Sequence, residues 1–366
     1  MTYTIVHCAD VHLETVFAET RGGAGRRKAL ADAFVRIVDR ARELGADALT
    51  IGGDLYEAER AGPQTVRFLF EQFARLRKPV FIAPGNHDPY APASLFARTD
   101  LPENVRVFNE AAWNGFPLAE GITLFGFGHT AAEPGRPFAS ARFERGGIQI
   151  ALVHGSDETR CPPNKRATAP FTLAEAAAAG ARLVLTGHYH GGYVAGEAAG
   201  PWIAYPGSPE PIKFGEGPVH GVLVVRVRDG SVEIEPLPIA RTRLIERDCD
   251  LSDVAHENAA FARVERALAD LGRDDYVRLR LVGNVAHGTR IDPLLMHERN
   301  CAQLGSLEII DASLAYDYEA IAREPTVRGH VTRDLLERAG SGVDASAAQG
   351  ALRYALAAFE GSEIAP

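Results

Sequence analysis

Along the first half of the chain, short unbroken apolar runs alternate with longer stretches in which apolar residues recur at helical spacing. Tyr3 to Cys8, Ala48 to Ile51 and Val80 to Ala83 read as buried strands. Between them, Gly25 to Leu44 and Pro63 to Arg77 read as helices, with Leu30, Phe34, Ile37, Val38 and Ala41 on one face of the first. Strands that alternate with helices predict right-handed crossovers and a largely parallel sheet. Ile122 to Phe127, Ile148 to Val153 and Arg182 to Thr186 continue as strands, with a helix from Leu173 to Ala179 between the last two.

From Tyr193 to about Leu237 the helical period disappears. Tyr193 to Glu197, Trp202 to Tyr205, Gly221 to Arg228 and Ser231 to Pro236, with a hairpin turn at Asp229-Gly230, predict an antiparallel meander. The expected architecture for residues 1–239 is a sheet-rich sandwich with helices outside. After Ile239 the pattern changes. Strands at Thr242 to Asp248, Tyr276 to Gly283 and Ser306 to Ile310, with helices at Leu251 to Leu271 and Ile291 to Cys301, predict a βαβαβ domain over 240–315. Leu335, Leu336, Leu352, Ala355, Leu356 and Phe359 make 326–366 a helical tail that caps this domain or docks a partner.

Composition narrows the class. The 366 residues carry a net charge of −9, which argues against a protein that coats nucleic acid through many Lys and Arg contacts, though not against a local nucleic-acid site. Cys8, Cys161, Cys249 and Cys301 form no CxxC pair, so the expectation is free thiols in a reducing cytoplasm. The first residues have no basic and apolar leader pattern, and no apolar window approaches the ~18 residues of a membrane span. A cytoplasmic protein without membrane contact is expected.

The chemistry gathers at the carboxyl ends of the first-domain strands, where open α/β sheets bind ligands. Asp10-Val11-His12 follows the first strand, Gly52-Gly53-Asp54 the second and Gly85-Asn86-His87-Asp88 the third. His154-Gly155 and Gly187-His188-Tyr189-His190 follow two later strands. These residue types suit two divalent ions about 3.5–4 Å apart, with Asp54 able to give one oxygen to each. Strand-like alternation would put Asp10 and His12 on one face, and likewise His188 and His190. The glycines before Asp54, Asn86 and His188 allow close approach. Any one cluster is weak on its own. Five in this order, each after a strand, are hard to attribute to unrelated core or surface histidines.

This order resembles the calcineurin-like metallophosphoesterases. The His7-Cys8-Ala9-Asp10-Val11-His12-Leu13 opening, the Tyr205-Pro206-Gly207-Ser208-Pro209 segment and the βαβαβ unit are similar to the bacterial SbcD type of DNA repair nuclease, relative of the meiotic-recombination nuclease. The resemblance implies a four-layered α/β/β/α sandwich, a smaller βαβαβ capping domain like that family's DNA-binding one, and a C-terminal helical segment. It implies that Asp10, His12, Asp54 and His190 hold one metal, and that Asp54, Asn86, His154 and His188 hold the other. Mn²⁺ is the usual ion of such proteins; the side chains also suit Fe or Zn²⁺. His87 matches the motif histidine that contacts phosphate or protonates the leaving oxygen, with Asp88 expected to orient it. The implied partners are DNA, single- or double-stranded, an SbcC-like coiled-coil ATPase at the C-terminal region, and a second copy as a homodimer.

One position departs from the pattern. SbcD-type nucleases commonly carry a histidine where this chain has Glu57. A carboxylate there would repel a phosphodiester, which counts against exonuclease action on long DNA, unless Glu57 points to solvent. His7 and His129 are expected to be structural rather than ligands. For DNA, the candidate cations are Arg160, Lys165, Arg166, Lys213, Arg273, Arg278 and Arg280. The reading is a Mn-dependent phosphodiesterase or DNA nuclease, exo- or endonucleolytic. Its rivals are a metallophosphoesterase acting on a small nucleotide or phosphodiester, and a DNA-end-binding scaffold for the ATPase.

Overall fold

The computed structural model describes residues 2–17, 23–130, 134–143, 146–161, 167–196, 200–252, 254–283, 285, 289, 291–313, 316–340 and 345–359. The chain divides into two compact units, Met1–Leu244 and Ile245–Pro366.

The first unit begins with β1 (Thr2–Cys8), α1 (Gly23–Glu43), β2 (Ala48–Ile51), α2 (Pro63–Leu76), β3 (Val80–Ile82) and β4 (Val105–Val107). The four strands pair in parallel in the order given. There follow β5 (Asn114–Ala119), β6 (Ile122–Phe127), β7 (Ile148–His154), α3 (Leu173–Ala179), β8 (Leu183–Gly187), β9 (Tyr193–Gly196) and β10 (Trp202–Tyr205). These strands form a second six-stranded sheet in the order β5-β6-β7-β8-β10-β9. The last two strands, β11 (Gly221–Arg228) and β12 (Ser231–Pro238), return to the first sheet, whose order is β12-β11-β1-β2-β3-β4.

Burial on both faces explains the continuous apolar runs. On β1, Val6 and Cys8 join Leu49, Ile51, Val80 and Ile82 against Leu30, Phe34 and Ile37 of α1 and Leu69 and Phe73 of α2. Ile5 points the other way, into a core shared with Phe81, Leu124, Ile150, Leu152, Leu183 and Leu185 of both sheets. The outer face of the second sheet packs Ala151, Val153 and Val184 against Ala176 and Ala179 of α3. Each fully buried large aliphatic or aromatic side chain contributes roughly 1.5–3 kcal/mol. The result is the α/β/β/α layering that the resemblance implies.

The expected meander from Tyr193 to Leu237 is corrected by the pairing. β9 and β10 are antiparallel, but β10 then lies parallel to β8 in the second sheet. β11 and β12 are antiparallel in the first sheet, where β11 also runs antiparallel to β1. Gly221 to Val225 are all buried, so β11 needs a sheet interior covered on both sides; local hairpin signals carry no information about that. The 206–220 connection therefore crosses between sheets.

In the second unit, β13 (Arg243–Asp250), β14 (Asp275–Val282) and β15 (Ser306–Asp311) form a three-stranded sheet with β14 in the middle. It packs on α4 (Glu257–Leu268) and α5 (Pro293–Asn300) through Phe261, Val264, Leu268, Leu279, Leu281 and Met296. The α4 helix starts later than the sequence pattern predicts, because the His256 ring caps it by accepting from the Ala259 amide at 3.2 Å. Leu251 and Val254 reach the core from the preceding loop. Helices α6 (Tyr318–Ala322), α7 (Val327–Gly340) and α8 (Ala345–Phe359) gather Tyr318, Ile321, Leu335, Leu336, Leu352 and Leu356 into a separate apolar cluster. Among the described residues, no helix is long and apolar enough to cross a membrane.

Candidate metal centre

The loops leaving β1 and β2 are zipped together by backbone hydrogen bonds. Asp10 N donates to Gly53 O at 3.0 Å, His12 N to Asp54 O at 2.9 Å and Leu13 N to Leu55 O at 3.0 Å. Asp10, His12, Asp54 and His188 all have positive φ, at 53°, 49°, 52° and 109°. Left-handed backbone at non-glycine residues is held only where surrounding contacts enforce it, and it concentrates at functional sites. These residues thus leave strand geometry before their side chains converge. Alternation along a strand is not what pairs Asp10 with His12.

The carboxylate of Asp88, fully buried, ties the next loop in. Its oxygens accept from the amides of Asp54 at 3.0 Å, Leu55 at 2.7 Å and Gly85 at 2.7 Å. A Cβ on Gly85 would lie 2.2 Å from Asp54 Oδ1, so only glycine permits this approach. Asp54 Oδ1 also accepts from the His87 amide at 2.9 Å, and the Asp10 carboxylate from the His188 amide at 3.0 Å.

The side chains meet in three groups of potential donors, Asp10 with His12 and His190, His12 with Glu57 and His87, and Asp54 with His154 and His188. The groups adjoin. His12 Nε2 is 3.2 Å from His190 Nε2 and 3.7 Å from Asp54 Oδ2, while His154 Nε2 is 3.2 Å from the same Asp54 oxygen and 3.1 Å from Asn86 Oδ1. Each of three rings is anchored through its far nitrogen. His12 Nδ1 bonds Glu57 Oε1 at 2.8 Å, His190 Nδ1 bonds Glu216 Oε1 at 2.6 Å, and His154 Nδ1 bonds Gly52 O at 2.7 Å. A ring that keeps its proton on Nδ1 can turn its Nε2 lone pair toward a bound ion, the arrangement that orients histidine ligands and raises their basicity.

The buried carboxylates and imidazoles shift one another's ionisation. Burial pushes Asp10 up, and it pushes Asp54 up too, but the charge and hydrogen bond of His154, with His12 and His87, outweigh burial and hold Asp54 well below the usual carboxylate range. His154 is drawn up to about 9, because Asp54 and Asp10 more than offset its desolvation. His188 is pushed down to about 3 by burial and by His154. Two buried carboxylates, four imidazoles and one amide oxygen form a mixed nitrogen and oxygen set that fits divalent first-row ions.

A family profile described as Calcineurin-like phosphoesterase matches residues 3–192, which contain all seven of these donor residues. The chain belongs to that family. That family is one of phosphoesterases that work with divalent metals. The chain is 25% identical over 238 residues to a DNA double-strand break repair protein Mre11 of Methanopyrus kandleri, covering 57% of this chain and 49% of that one. It is 38% identical over 85 residues to the Mre11 protein of Archaeoglobus fulgidus, covering 22% of this chain and 18% of that one. The chain therefore spans at most about half the length of these relatives. Among solved structures, a dimetal phosphatase from Danio rerio aligns with 64% of this chain and 95% of its own, at 12% identity and a TM-score of 0.43.

Two expectations for this phosphoesterase centre need correction. Asp88 does not orient His87, since its oxygens serve the three loop amides. Glu57 does so instead. Its Oε2 lies 2.8 Å from His87 Nδ1, while Oε1 serves His12, so Glu57 neither points to solvent nor stands as a free anion. Burial pushes the Glu57 carboxyl up, but the two imidazoles outweigh it and bring it down to about 2. That hydrogen bond, outweighing partial burial and reinforced by Asp54, raises the His87 pKa. Glu216 went unmarked in the sequence; nothing in its Gly-Glu-Gly context signals contact with His190.

His7 and His129 hold structural positions. His7 Nδ1 lies 3.0 Å from Thr50 Oγ1 and Nε2 3.2 Å from Thr186 O; His129 Nε2 lies 2.8 Å from His154 O. Of the cations considered for DNA, Arg160 stacks 3.5 Å from the Tyr193 ring centroid. Arg278 pairs with Glu308 at 2.7 Å and Glu246 at 3.1 Å, and Arg280 with Asp248 at 3.7 Å. Lys213 and Arg273 are exposed, and Lys165 and Arg166 lie outside the described residues.

Proposed function

We propose that the protein is a two-metal phosphodiesterase acting on DNA, with Mn²⁺ as its ion. The observation that carries this reading is the pair of adjoining donor groups that meet at Asp54, with His87 beside them. Asp10, His12, Asp54 and His190 would hold one ion, and Asp54, Asn86, His154 and His188 the other. The ions supply an activated water and offset negative charge on the phosphate when bound. His87, with 44% of its side chain exposed, stands where an arriving diester can reach it. Glu57 fixes its Nδ1 proton and favours the imidazolium, so Nε2 can give a proton to the leaving oxygen. Because Glu57 is engaged by two imidazoles, its charge no longer counts strongly against a DNA substrate.

A small phosphodiester or nucleotide is the second reading, favoured by the ion pairs that occupy Arg278 and Arg280. An SbcC-like ATPase at the C-terminal helices and a homodimer belong to the DNA reading; Val327, Tyr354 and Phe359 are, among the described residues, exposed large apolar side chains there. The test is hydrolysis of labelled single- and double-stranded DNA, and of bis(4-nitrophenyl) phosphate, with Mn²⁺, Mg²⁺ or chelator. Mn²⁺-dependent cleavage lost in Asp54→Ala supports the reading; equal cleavage by Asp54→Ala refutes it. Turnover of the small diester alone selects the second reading.

A further inference from the structure

Beside the metal centre, the first unit has a cavity of about 730 Å³ between the first half of α2 and the 89–100 segment. Its wall includes Tyr56, Ala58, Val66, Phe70, Pro89 and Leu95. That volume falls within the range of small-molecule sites, and a largely apolar lining of this kind favours a hydrophobic group over a charge. The arginines in the wall, Arg67 and Arg98, are each paired at 2.8 Å, with Glu71 and Asp100. The cavity therefore presents little net charge.

Its wall is joined to the candidate reacting groups through the backbone. Tyr56 and Ala58, both in the wall, flank Glu57, whose carboxylate holds His87. The Ala58 amide donates to the His87 carbonyl at 3.0 Å, and Pro89 follows His87 by two residues. Tyr56 is fixed in turn, with its hydroxyl 3.3 Å from the Leu95 amide and its ring 5.2 Å from Phe96. The cavity wall thus shares the 56–58 and 87–89 loops with Glu57 and His87, on the side that the phosphodiesterase reading gives to the leaving group. We propose that it is a subsite for an aromatic or nucleobase-bearing leaving group of the phosphodiester. The inference rests on the phosphodiesterase reading and assigns its substrate class.

The probe is 4-methylumbelliferyl methyl phosphate, with inorganic phosphate as an inhibitor that reaches the metal centre alone. Phe70→Ala and Val66→Glu are expected to raise KM for this diester about five- to tenfold, through lost apolar contact, with kcat and the phosphate inhibition constant held. Unchanged KM in both variants, in a protein whose turnover is abolished by Asp54→Ala, overturns the subsite and leaves the phosphodiesterase reading intact. If the wild-type protein does not turn the diester over, equilibrium binding of the same compound decides. Affinity lowered by Phe70→Ala retains the subsite while the functional reading fails; affinity that ignores Phe70 overturns it. A dimer in sedimentation that Val66→Glu dissociates also overturns it, since the cavity would then be covered by a second copy.

Discussion

Glu57→Gln separates positioning from metal binding in this centre. The carboxylate accepts from two rings at 2.8 Å each, His12 through Oε1 and His87 through Oε2. Glutamine has one carbonyl oxygen, so one imidazole keeps an acceptor and the other faces an NH₂ group. If the NH₂ faced His12, the ring would have to accept at Nδ1 and carry its proton on Nε2, which removes the lone pair offered to the centre. Metal binding therefore selects the opposite orientation, with the NH₂ toward His87. The His87 ring then accepts at Nδ1 and stays neutral.

Two magnitudes follow. Metal affinity falls by at most the ~10- to 100-fold typical of a weakened supporting hydrogen bond. The proton donation proposed for His87 is lost, which costs about 10²- to 10⁴-fold in kcat where the leaving alcohol needs a proton. Since Glu57 raises the His87 pKa in the native protein, its removal lowers it, and the alkaline limb of the kcat profile moves to lower pH. The assay is kcat against pH at saturating Mn²⁺ for a dinucleotide and for bis(4-nitrophenyl) phosphate, whose leaving group departs without a proton. A deep loss on the first and a small one on the second is expected. Equal losses on both, or an unmoved alkaline limb in metal-loaded protein, would refute the assignment.

Three further outcomes can be checked. Gly85→Ala places a methyl 2.2 Å from Asp54 Oδ1 and should lower Mn²⁺ affinity at least tenfold in calorimetry, an effect on the scale of a disturbed ligand support. Glu210 is fully buried and accepts from Arg36, from the amides of Arg241 and Thr242 at 3.0 Å each, and from the Thr242 hydroxyl. Glu210→Gln turns an NH₂ against one of these donors and weakens the Arg36 pair, so denaturant unfolding should show a loss of about 3 kcal/mol. Chelation should lower Tm in the wild type, where ion at 100 times its Kd adds about 2.7 kcal/mol, and leave Asp54→Ala unmoved.

The strand-end clusters were legible because sequence order alone places them: each follows an apolar run, and runs buried on both faces end at one crevice. What alternation could not supply was the local backbone. Asp10 and His12 sit at positive φ, so their convergence depends on the zipped loops of β1 and β2 rather than on strand period. The partner of β11 was hidden for a related reason, since hairpin turns fix the neighbour in sequence and say nothing of the second edge. Glu57 was visible as a departure, yet its role depends on two rings 45 and 30 residues away in the chain. Glu216 belongs to the same class, a supporting carboxylate whose meaning appears only once His190 lies beside it.

The donors also divide between the sheets. Asp10, His12, Asp54 and Asn86 follow strands of the first sheet, whereas His154, His188 and His190 come from strand ends of the second. The sheets meet just beneath them, where a Cβ on Gly187 would lie 2.4 Å from Gly52 O and His7 links Thr50 to Thr186. Ions bound to these residues would act as cross-links between chain positions about 180 residues apart, restricting the open chain as a staple closing a long loop would. Metal affinity then becomes a gauge of inter-sheet spacing. Core substitutions between the sheets, at Phe81 or Leu152, should register as weakened metal binding without touching a ligand.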